Sequence, residues 1–190
     1  MSVENIIPSG NGGINSEGRT LKEIAEKPVP EALLAKVESL GVDARTAAVI
    51  RRDAQRMGRG IVPAPAIGGR VDFSGVAWPE FLPKLPDAQT LGEMLRERTG
   101  GQPLSQTTPE LIRAITYDIG RKALAERYGI TKSQAERLVG LLDCVFHETE
   151  DGHLQIVPNN IHRFKNLYAH KGYVSEMMKQ FTGAEVEGES

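Results

Sequence analysis

The 190-residue sequence has only one cysteine, Cys144, and this scarcity excludes two kinds of site. A disulfide framework within the chain and a cysteine-based zinc site each need several thiols. A metal site in this protein would therefore depend on His, Asp, Glu or Asn side chains.

The sequence also lacks an excess of charge of either sign. It has 23 Lys and Arg residues against 25 Asp and Glu residues, for a formal net charge of -2. A balanced chain does not have the general attraction for nucleic acid that a strongly basic protein has. Any contact with nucleic acid is therefore expected to come from a local basic patch.

Long apolar runs are missing as well. No segment approaches the roughly 20 apolar residues of a membrane span. Residues 1–18 have neither the basic nor the apolar part of a secretion signal. The sequence therefore predicts a water-soluble protein without a membrane span, whose export would need a route that uses no signal peptide.

Two regions are expected along the chain, a helical one over residues 1–62 and a second one over residues 63–190. The first begins with a leader over residues 1–18 that is rich in Gly, Asn and Ser and is expected to be flexible. Short helices follow it. The clearest signals are Gly41, which is expected to end one helix, and Asp43, which is expected to cap the next.

Proline and glycine dominate the segment between residues 59 and 87. Its five prolines and four glycines exclude a long helix. Short extended pieces such as RVDFSGVAW, residues 70–78, are expected there instead. Helices are predicted again from residue 88 onward.

Two helices in the middle of the chain have strong boundary signals. Thr108 is a predicted N-cap, Pro109 suits the first turn, and Gly129 is expected to end this helix. Thr131 and Gln134 then have the spacing of a capping box that begins another helix.

After that helix the hydrophobic period changes. Cys144 to Thr149 and Leu154 to Val157 are predicted strands, and the Asp-Gly pair between them is a strong hairpin signal. Pro158 ends the second strand, Asn159 can cap, and a helix is expected to follow. The predicted fold class is therefore α+β, mostly helical, with a C-terminal strand, strand and helix.

Histidines mark this C-terminal part. His147 lies in the first predicted strand and His162 in the first turn of the helix, with Asn166 four residues further along the same helical face. Two imidazoles and an amide oxygen suit a divalent ion. The spacing is equally compatible with a buried His147 and a surface His162 that bind nothing.

The run VFHETEDGHLQIVPNNIHRF…AHKG resembles the WHH group of HNH/endonuclease VII nucleases. That motif reads approximately Trp-His-His-His-x-Asp-Gly, then Met-Gln-Leu-Val-Pro, then Leu-His, then His-Thr-Gly-Gly. Upstream, GGRVDFSGVA resembles the Pro-Asp-Phe-Ser segment of the group, and DIGRKALAERYGI resembles its preceding helix. The resemblance covers roughly residues 67 to 174.

The resemblance implies a ββα-metal nuclease domain over residues 63–190 and a role for each matching residue. Phe146 takes the place of the motif tryptophan, and His147 that of the first histidine, which makes it the main candidate for the general base. Gln155 matches the asparagine position of HNH motifs, where an amide orients side chains of the first strand. His162 matches the metal-binding histidine of the helix, and His170 matches the last histidine.

Glu148 stands where the family has a second histidine. Either His147 is the base and the ligand set is smaller, or Glu148 takes over as base, although a carboxylate with an ordinary pKa of about 4.3 is the weaker base. The resemblance and the spacing together give His162, Asn166 and His170 as candidate ligands of Mg, Mn, Ni or Zn. Cationic side chains nearby are candidates for phosphate contacts: Arg163, Lys165 and Lys171.

The function implied by the resemblance is metal-dependent hydrolysis of phosphodiester bonds in DNA by an antibacterial toxin. Its partners would be the DNA substrate and a cognate immunity protein. Such a protein would be cytoplasmic in the producing cell and could be delivered into a target bacterium. Glu148 keeps a second possibility open, a catalytically inactive HNH-like binding module.

A different motif favours a regulator. RKALAERYGITKSQAERLVG, Arg121 to Gly140, resembles a helix-turn-helix with Gly129 at the turn. This arrangement would present Lys132, Gln134 and Arg137 to a DNA major groove. The alternative function is therefore a helix-turn-helix DNA-binding regulator.

Overall fold

The computed structural model describes residues 29–57, 73–163 and 172–183. Within these ranges the chain forms seven α-helices, two 3₁₀ helices and one antiparallel pair of strands. The α-helices are α1 (Glu31–Leu34), α2 (Ala44–Gln55), α3 (Ala88–Thr99), α4 (Pro109–Tyr128), α5 (Lys132–Leu141), α6 (Asn159–His162) and α7 (Tyr173–Thr182). The 3₁₀ helices are Ala35–Leu40 and Leu104–Gln106, and the strands are β1 (Cys144–Glu148) and β2 (Leu154–Pro158). The predicted fold class, α+β and mostly helical, is confirmed.

The first helices end and begin where the sequence predicts. The chain of α1 continues directly into the Ala35–Leu40 3₁₀ helix, which ends at Gly41 with a left-handed φ of 74°. Asp43 caps α2 because its Oδ1 accepts from the backbone N of Thr46 at 2.9 Å. This hydrogen bond lowers the pKa of Asp43. The residues of the predicted leader and of the first short helix lie outside the described ranges.

The caps of the central helices also agree with the sequence. Thr108 accepts from the backbone N of Leu111, and α4 then runs for 20 residues to Gly129, whose φ is 63°. Thr131 and Gln134 form the predicted capping box of α5, in which each side chain bonds to the backbone of the other residue. The turn between α4 and α5 is therefore short and closed at both ends.

The segment from Phe73 to Ala77 differs from its prediction. It forms a turn rather than an extended piece, because the carbonyl oxygen of Phe73 accepts from Val76 N at 2.9 Å and from Ala77 N at 2.8 Å. Ser74 and Gly75 are turn-forming residues, and here local hydrogen bonds replace sheet pairing. Residues 70–72 of the same prediction lie outside the described ranges.

An extended piece is present further along this segment. Leu85 N donates to Gly152 O at 2.7 Å, and Leu154 N donates to Pro83 O at 2.9 Å. A single β-bridge joins Lys84 to His153 between these two bonds. The proline-rich segment therefore covers the hairpin edge at the start of β2.

The predicted hairpin is confirmed within one residue of its bounds. β1 and β2 pair without a bulge, from Cys144 opposite Pro158 to Glu148 opposite Leu154. Five residues, 149–153, lie between the strands. Thr149 N donates to His153 O at 2.8 Å, so the turn itself comprises residues 150–152, and Gly152 ends it with a φ of 80°. Glycine suits this left-handed position, which closes a three-residue hairpin loop.

One hydrophobic cluster includes side chains from α1 and α2, from residues 78–85, from the later helices and from the hairpin. It contains, among others, Leu40, Ile50, Trp78, Leu124, Leu138, Ile156 and Met177. The predicted boundary at residue 62 lies outside the described ranges, and helices on both sides of it share this core. None of the helices in the described residues is long and apolar enough to cross a membrane.

Candidate functional site

The hairpin presents different chemistry on its two faces. Successive side chains of a strand point to opposite faces, and residues directly opposite each other in the pair share a face. His147 lies opposite Gln155, and Glu148 lies opposite Leu154. The pairing therefore places His147 with Gln155 on one face and Glu148 on the other.

The histidine face is covered by the turn that begins at Phe73. The His147 side chain is almost fully buried, and its ring meets the edge of the Phe73 ring at a centroid distance of 4.8 Å. His162, the last residue of α6, has its ring centroid 5.4 Å from that of His147 and 5.8 Å from that of Phe73. The structure thus brings the two predicted histidines together, with one aromatic ring in contact with both.

Gln155 adds an amide to the same face. Its side chain is buried, and Nε2 donates to Ser74 Oγ at 3.4 Å. Its Oε1 has no hydrogen-bond partner among the residues that the structure describes. A buried acceptor of this kind usually has a partner, so the amide oxygen is available to a donor or a cation.

Imidazole nitrogen and amide oxygen are donor types that occur in divalent-metal sites. An imidazole nitrogen binds zinc at about 2.1 Å, and the centroids of the two rings lie 5.4 Å apart. In the described part of the chain no group of three or more His, Cys, Asp or Glu side chains could hold a metal. The other predicted ligands, Asn166 and His170, lie outside the described residues.

The start of α6 is fixed to the start of β1, a feature that the sequence did not indicate. Asp143 O accepts from Asn159 N at 2.8 Å, and Asp143 Oδ1 accepts from Asn159 Nδ2 at 3.0 Å. The prediction that Asn159 caps the helix was wrong, since Pro158 occupies the N-cap position and the Asn159 amide is bound to Asp143. This contact holds the helical turn that ends in His162.

Glu148 occupies a separate environment. Thr116 of α4 donates its hydroxyl to Glu148 Oε1 at 2.7 Å, in the buried space between the hairpin and α4. Burial raises the pKa of Glu148, partly opposed by the Thr116 bond. The neighbouring Tyr117 is affected as well. Its own burial, and second the negative charge of Glu148, raise the pKa of Tyr117 to about 12.

Neighbouring residues of a strand, such as His147 and Glu148, share a site only where a bulge or a strand end intervenes. The register stays regular through Glu148. The structure therefore does not bring Glu148 together with His147 and His162.

The remaining predicted residues lie around this pair. His153 sits next to the hairpin loop, partly exposed, with Nδ1 3.4 Å from the Asp151 carboxylate. Arg163 follows His162 and is exposed. Lys165 and Lys171, the other predicted phosphate contacts, lie outside the described residues.

The residues of the predicted helix-turn-helix contact the rest of the protein. Gln134 Nε2 donates to Leu40 O at 3.1 Å, and Arg137 Nη2 donates to Ser39 O at 3.0 Å. Lys132 forms an ion pair with Asp118 of α4. The bonds of Gln134 and Arg137 hold α5 against the Ala35–Leu40 helix, and the Lys132 ion pair joins it to α4. The predicted groove-facing side chains therefore contact other parts of the protein.

Models of protein families, curated proteins and solved structures were compared with the chain, and none of them matches it.

Proposed function

We propose that this protein is a metal-dependent endonuclease of the ββα-metal type that hydrolyses phosphodiester bonds in DNA. The observation that carries the proposal is the 5.4 Å separation of the His147 and His162 rings. One ring comes from the first strand of a hairpin and the other from the helix that follows it. A hairpin and helix that converge on two imidazoles and an amide supply the groups that phosphodiester hydrolysis needs.

His147 is assigned the role of general base, which accepts a proton from the attacking water. Its ring is held on one side by the edge of Phe73, so its orientation is restricted. Gln155 lies directly opposite in the sheet and can orient the groups around His147. Glu148 has no role in this assignment because it faces α4 on the other side of the hairpin.

His162 is assigned as a metal ligand, and a divalent ion there would stabilise the charge that builds on the scissile phosphate. Imidazole nitrogens suit zinc and nickel, whereas magnesium prefers carboxylate, carbonyl and water oxygens. Two of the three candidate ligands, His162 and His170, are imidazoles, so tighter binding of zinc or nickel than of magnesium is expected. Asn166 and His170 remain predicted ligands, and Arg163, Lys165 and Lys171 remain predicted phosphate contacts.

The deciding experiment is cleavage of plasmid DNA by the purified chain with magnesium, manganese, nickel or zinc, with a structured RNA as a second substrate. His147→Ala is expected to lower the rate about 10²- to 10⁴-fold, the usual contribution of a general base. His162→Ala is expected to weaken metal binding and to slow cleavage. His153→Ala is the matched control, since it removes a histidine next to the same hairpin and outside the pair.

The proposal fails if the native protein cuts with none of the four ions, or if both pair variants cut as fast as the native protein. Binding of DNA without cleavage would instead favour an inactive HNH-like module. Sequence-selective duplex binding that is lost in Arg137→Ala would favour the helix-turn-helix regulator.

The biological role that we propose is that of an antibacterial toxin with a cognate immunity protein. Its only support is the resemblance of the hairpin and helix sequence to toxin nucleases. Expression inside a bacterial host is expected to be toxic for the native chain and tolerated for His147→Ala. Equal toxicity of the two would argue against a role that depends on cleavage.

A further inference from the structure

A buried carboxylate in the N-terminal helices begins a chain of hydrogen bonds that ends at Trp78, in the segment that covers the histidine pair. Asp53 of α2 is 4% exposed, and its Oδ2 accepts from the hydroxyl of Tyr128 at 2.8 Å. Arg127 Nη2 donates to the same oxygen at 3.3 Å. A buried charge is tolerated where it is paired and hydrogen-bonded, as it is here.

The Tyr128 hydroxyl is also hydrogen-bonded to Trp78. It donates to Asp53 and accepts from Trp78 Nε1 at 2.7 Å, in a position where the indole is 2% exposed. Burial raises the pKa of Tyr128, so its hydroxyl stays protonated and keeps donating. We call Asp53, Tyr128 and Trp78, with these two side-chain bonds, the Asp53 relay.

Trp78 in turn is attached to the sheet. Its backbone N donates to Ile156 O of β2 at 2.8 Å. The residue after it, Pro79, is held through its carbonyl oxygen by Arg127 Nη1 at 2.9 Å. The end of the Phe73–Trp78 segment is therefore fixed to β2 and, through the relay, to α2 and α4.

The other end of this segment contacts both histidines. The turn is closed by the two bonds to Phe73 O, so the position of Phe73 follows that of Trp78. The Phe73 ring is fully buried and touches the rings of His147 and His162. A displacement of Trp78 would thus be transmitted to the ring that contacts both histidines.

We propose that the Asp53 relay positions the histidine pair by holding the Phe73–Trp78 turn against β2. Asp53 and Tyr128 are then positioning residues, and the N-terminal helices are part of the scaffold of the site. This inference rests on the proposed function and assigns that site its supporting residues. It assigns a role in the site to α2, which lies in the predicted N-terminal region, residues 1–62.

The test uses Tyr128→Phe, which removes only the hydroxyl, and the side-chain resonances of the histidines in a metal-free, isotope-labelled sample. The ring current of Phe73 affects nuclei close to it, so the His147 and His162 signals are expected to shift while the His153 signal stays in place. Tyr117→Phe is the matched control on α4, because its ring packs against Phe146 and its hydroxyl is outside the relay. The indole proton of Trp78, the only tryptophan in the sequence, reports directly on the lost bond.

A second pair of variants tests the other end of the relay. Asp53→Asn keeps an oxygen that accepts from Tyr128, so the His147 and His162 resonances of this variant are expected to stay near the native ones. Asp53→Ala is expected to reproduce the shifts of Tyr128→Phe. Nickel affinity, measured by titration calorimetry, is expected to fall in Tyr128→Phe, by less than the roughly 10- to 100-fold loss that follows removal of a group bonded directly to a metal ligand.

A folded Tyr128→Phe protein with native His147 and His162 resonances would overturn the inference. Unfolding of both Tyr128→Phe and Asp53→Asn would also overturn it, because the relay would then serve folding alone. If the native protein neither binds metal nor cuts DNA, the proposed function fails. The metal-free resonances still decide, in that case, whether the relay positions the pair.

Discussion

Asp143 and Asn159 are joined by two hydrogen bonds, one between their backbones and one between their side chains. The pair connects the residue before β1 with the first residue of α6. His162 lies three residues beyond Asn159, one helical turn further on. Asp143 makes this contact from a left-handed backbone conformation with a φ of 49°, which Asp and Asn tolerate better than most residues.

Two replacements of Asp143 test how much its side-chain bond to Asn159 and its left-handed backbone contribute to stability. Asp143→Ala loses the side-chain bond to the buried Asn159 amide. It also puts alanine, which has no polar side-chain atom, in a left-handed conformation that Asp tolerates better. The expected loss is about 1 to 3 kcal/mol of unfolding free energy. Asp143→Asn keeps an acceptor and the tolerated conformation, so it is expected to lose less. Urea denaturation checks this, and equal losses in both variants would show that the side-chain bond contributes nothing.

Glu148→Gln is expected to stabilise the protein at neutral pH and to have little effect in acid. Because burial raises the pKa of Glu148, the folded protein keeps a proton that the unfolded chain has released. Stability then falls as the pH rises from about 4.5, the ordinary value, through the raised folded-state pKa. Gln cannot ionise, and its amide oxygen can still accept from Thr116.

The measurement is urea denaturation from about pH 4 to about pH 8 with a chelator present. The gain of Glu148→Gln over the native protein is expected to grow with pH. Glu126→Gln, an exposed change on α4, is the control and is expected to change stability little. A gain that does not vary with pH would contradict the buried, proton-holding state of Glu148.

Gly120 and Gly140 are expected to respond to alanine in opposite directions. A Cβ on Gly120 would lie 2.5 Å from Leu154 Cδ2 and 2.6 Å from Phe146 Cε1, so these two buried side chains, or the hairpin that carries them, would have to move. Such overpacking costs about 1 to 3 kcal/mol. A Cβ on Gly140 of α5 would meet no atom within 4 Å among the described residues.

Gly140→Ala is therefore expected to gain about 0.5 to 1 kcal/mol from helix propensity alone. Thermal and urea denaturation of the two variants, measured side by side, test the pair. Stabilisation by both changes would mean that α4 and the hairpin are packed less closely than the structure indicates.

Cys144 is expected to resist thiol reagents in the folded protein. Burial raises the pKa of its thiol, and the side chain is 6% exposed, so neither thiolate nor access is available. Modification by a disulfide reagent at mildly alkaline pH is expected to proceed only through unfolding, at a rate that increases with urea. Since the sequence has no second cysteine, the reaction reports on this position alone. Rapid modification without urea would contradict the burial of β1.

Local signals in the sequence were enough to place most elements. Asp43, Thr108 and Thr131 each accept from a backbone N–H three residues further on, so their effect depends on neighbouring sequence only. The hairpin is equally local, because its loop and its strand alternation lie within fifteen residues from Cys144 to Pro158.

The parts that sequence reasoning missed depend on distant contacts. Tyr128 and Asp53 are 75 residues apart, and nothing near either one indicates the other. The attachment of Trp78 to Ile156 of β2 is likewise long-range, and the prediction of an extended piece at Phe73 did not include it. Strand alternation indicated that His147 and Glu148 would separate, but only the observed register excluded a bulge.

The regular pairing of β1 with β2 also makes the identity of the site sensitive to insertions and deletions. A one-residue shift in a strand moves every side chain to the opposite face. Deletion of one residue between Cys144 and His147 would therefore exchange the imidazole for the carboxylate beneath the Phe73 turn. Gly152, which ends the hairpin turn in a left-handed conformation, helps to fix this register. The register in turn determines whether the side chain beneath the Phe73 turn is an imidazole or a carboxylate.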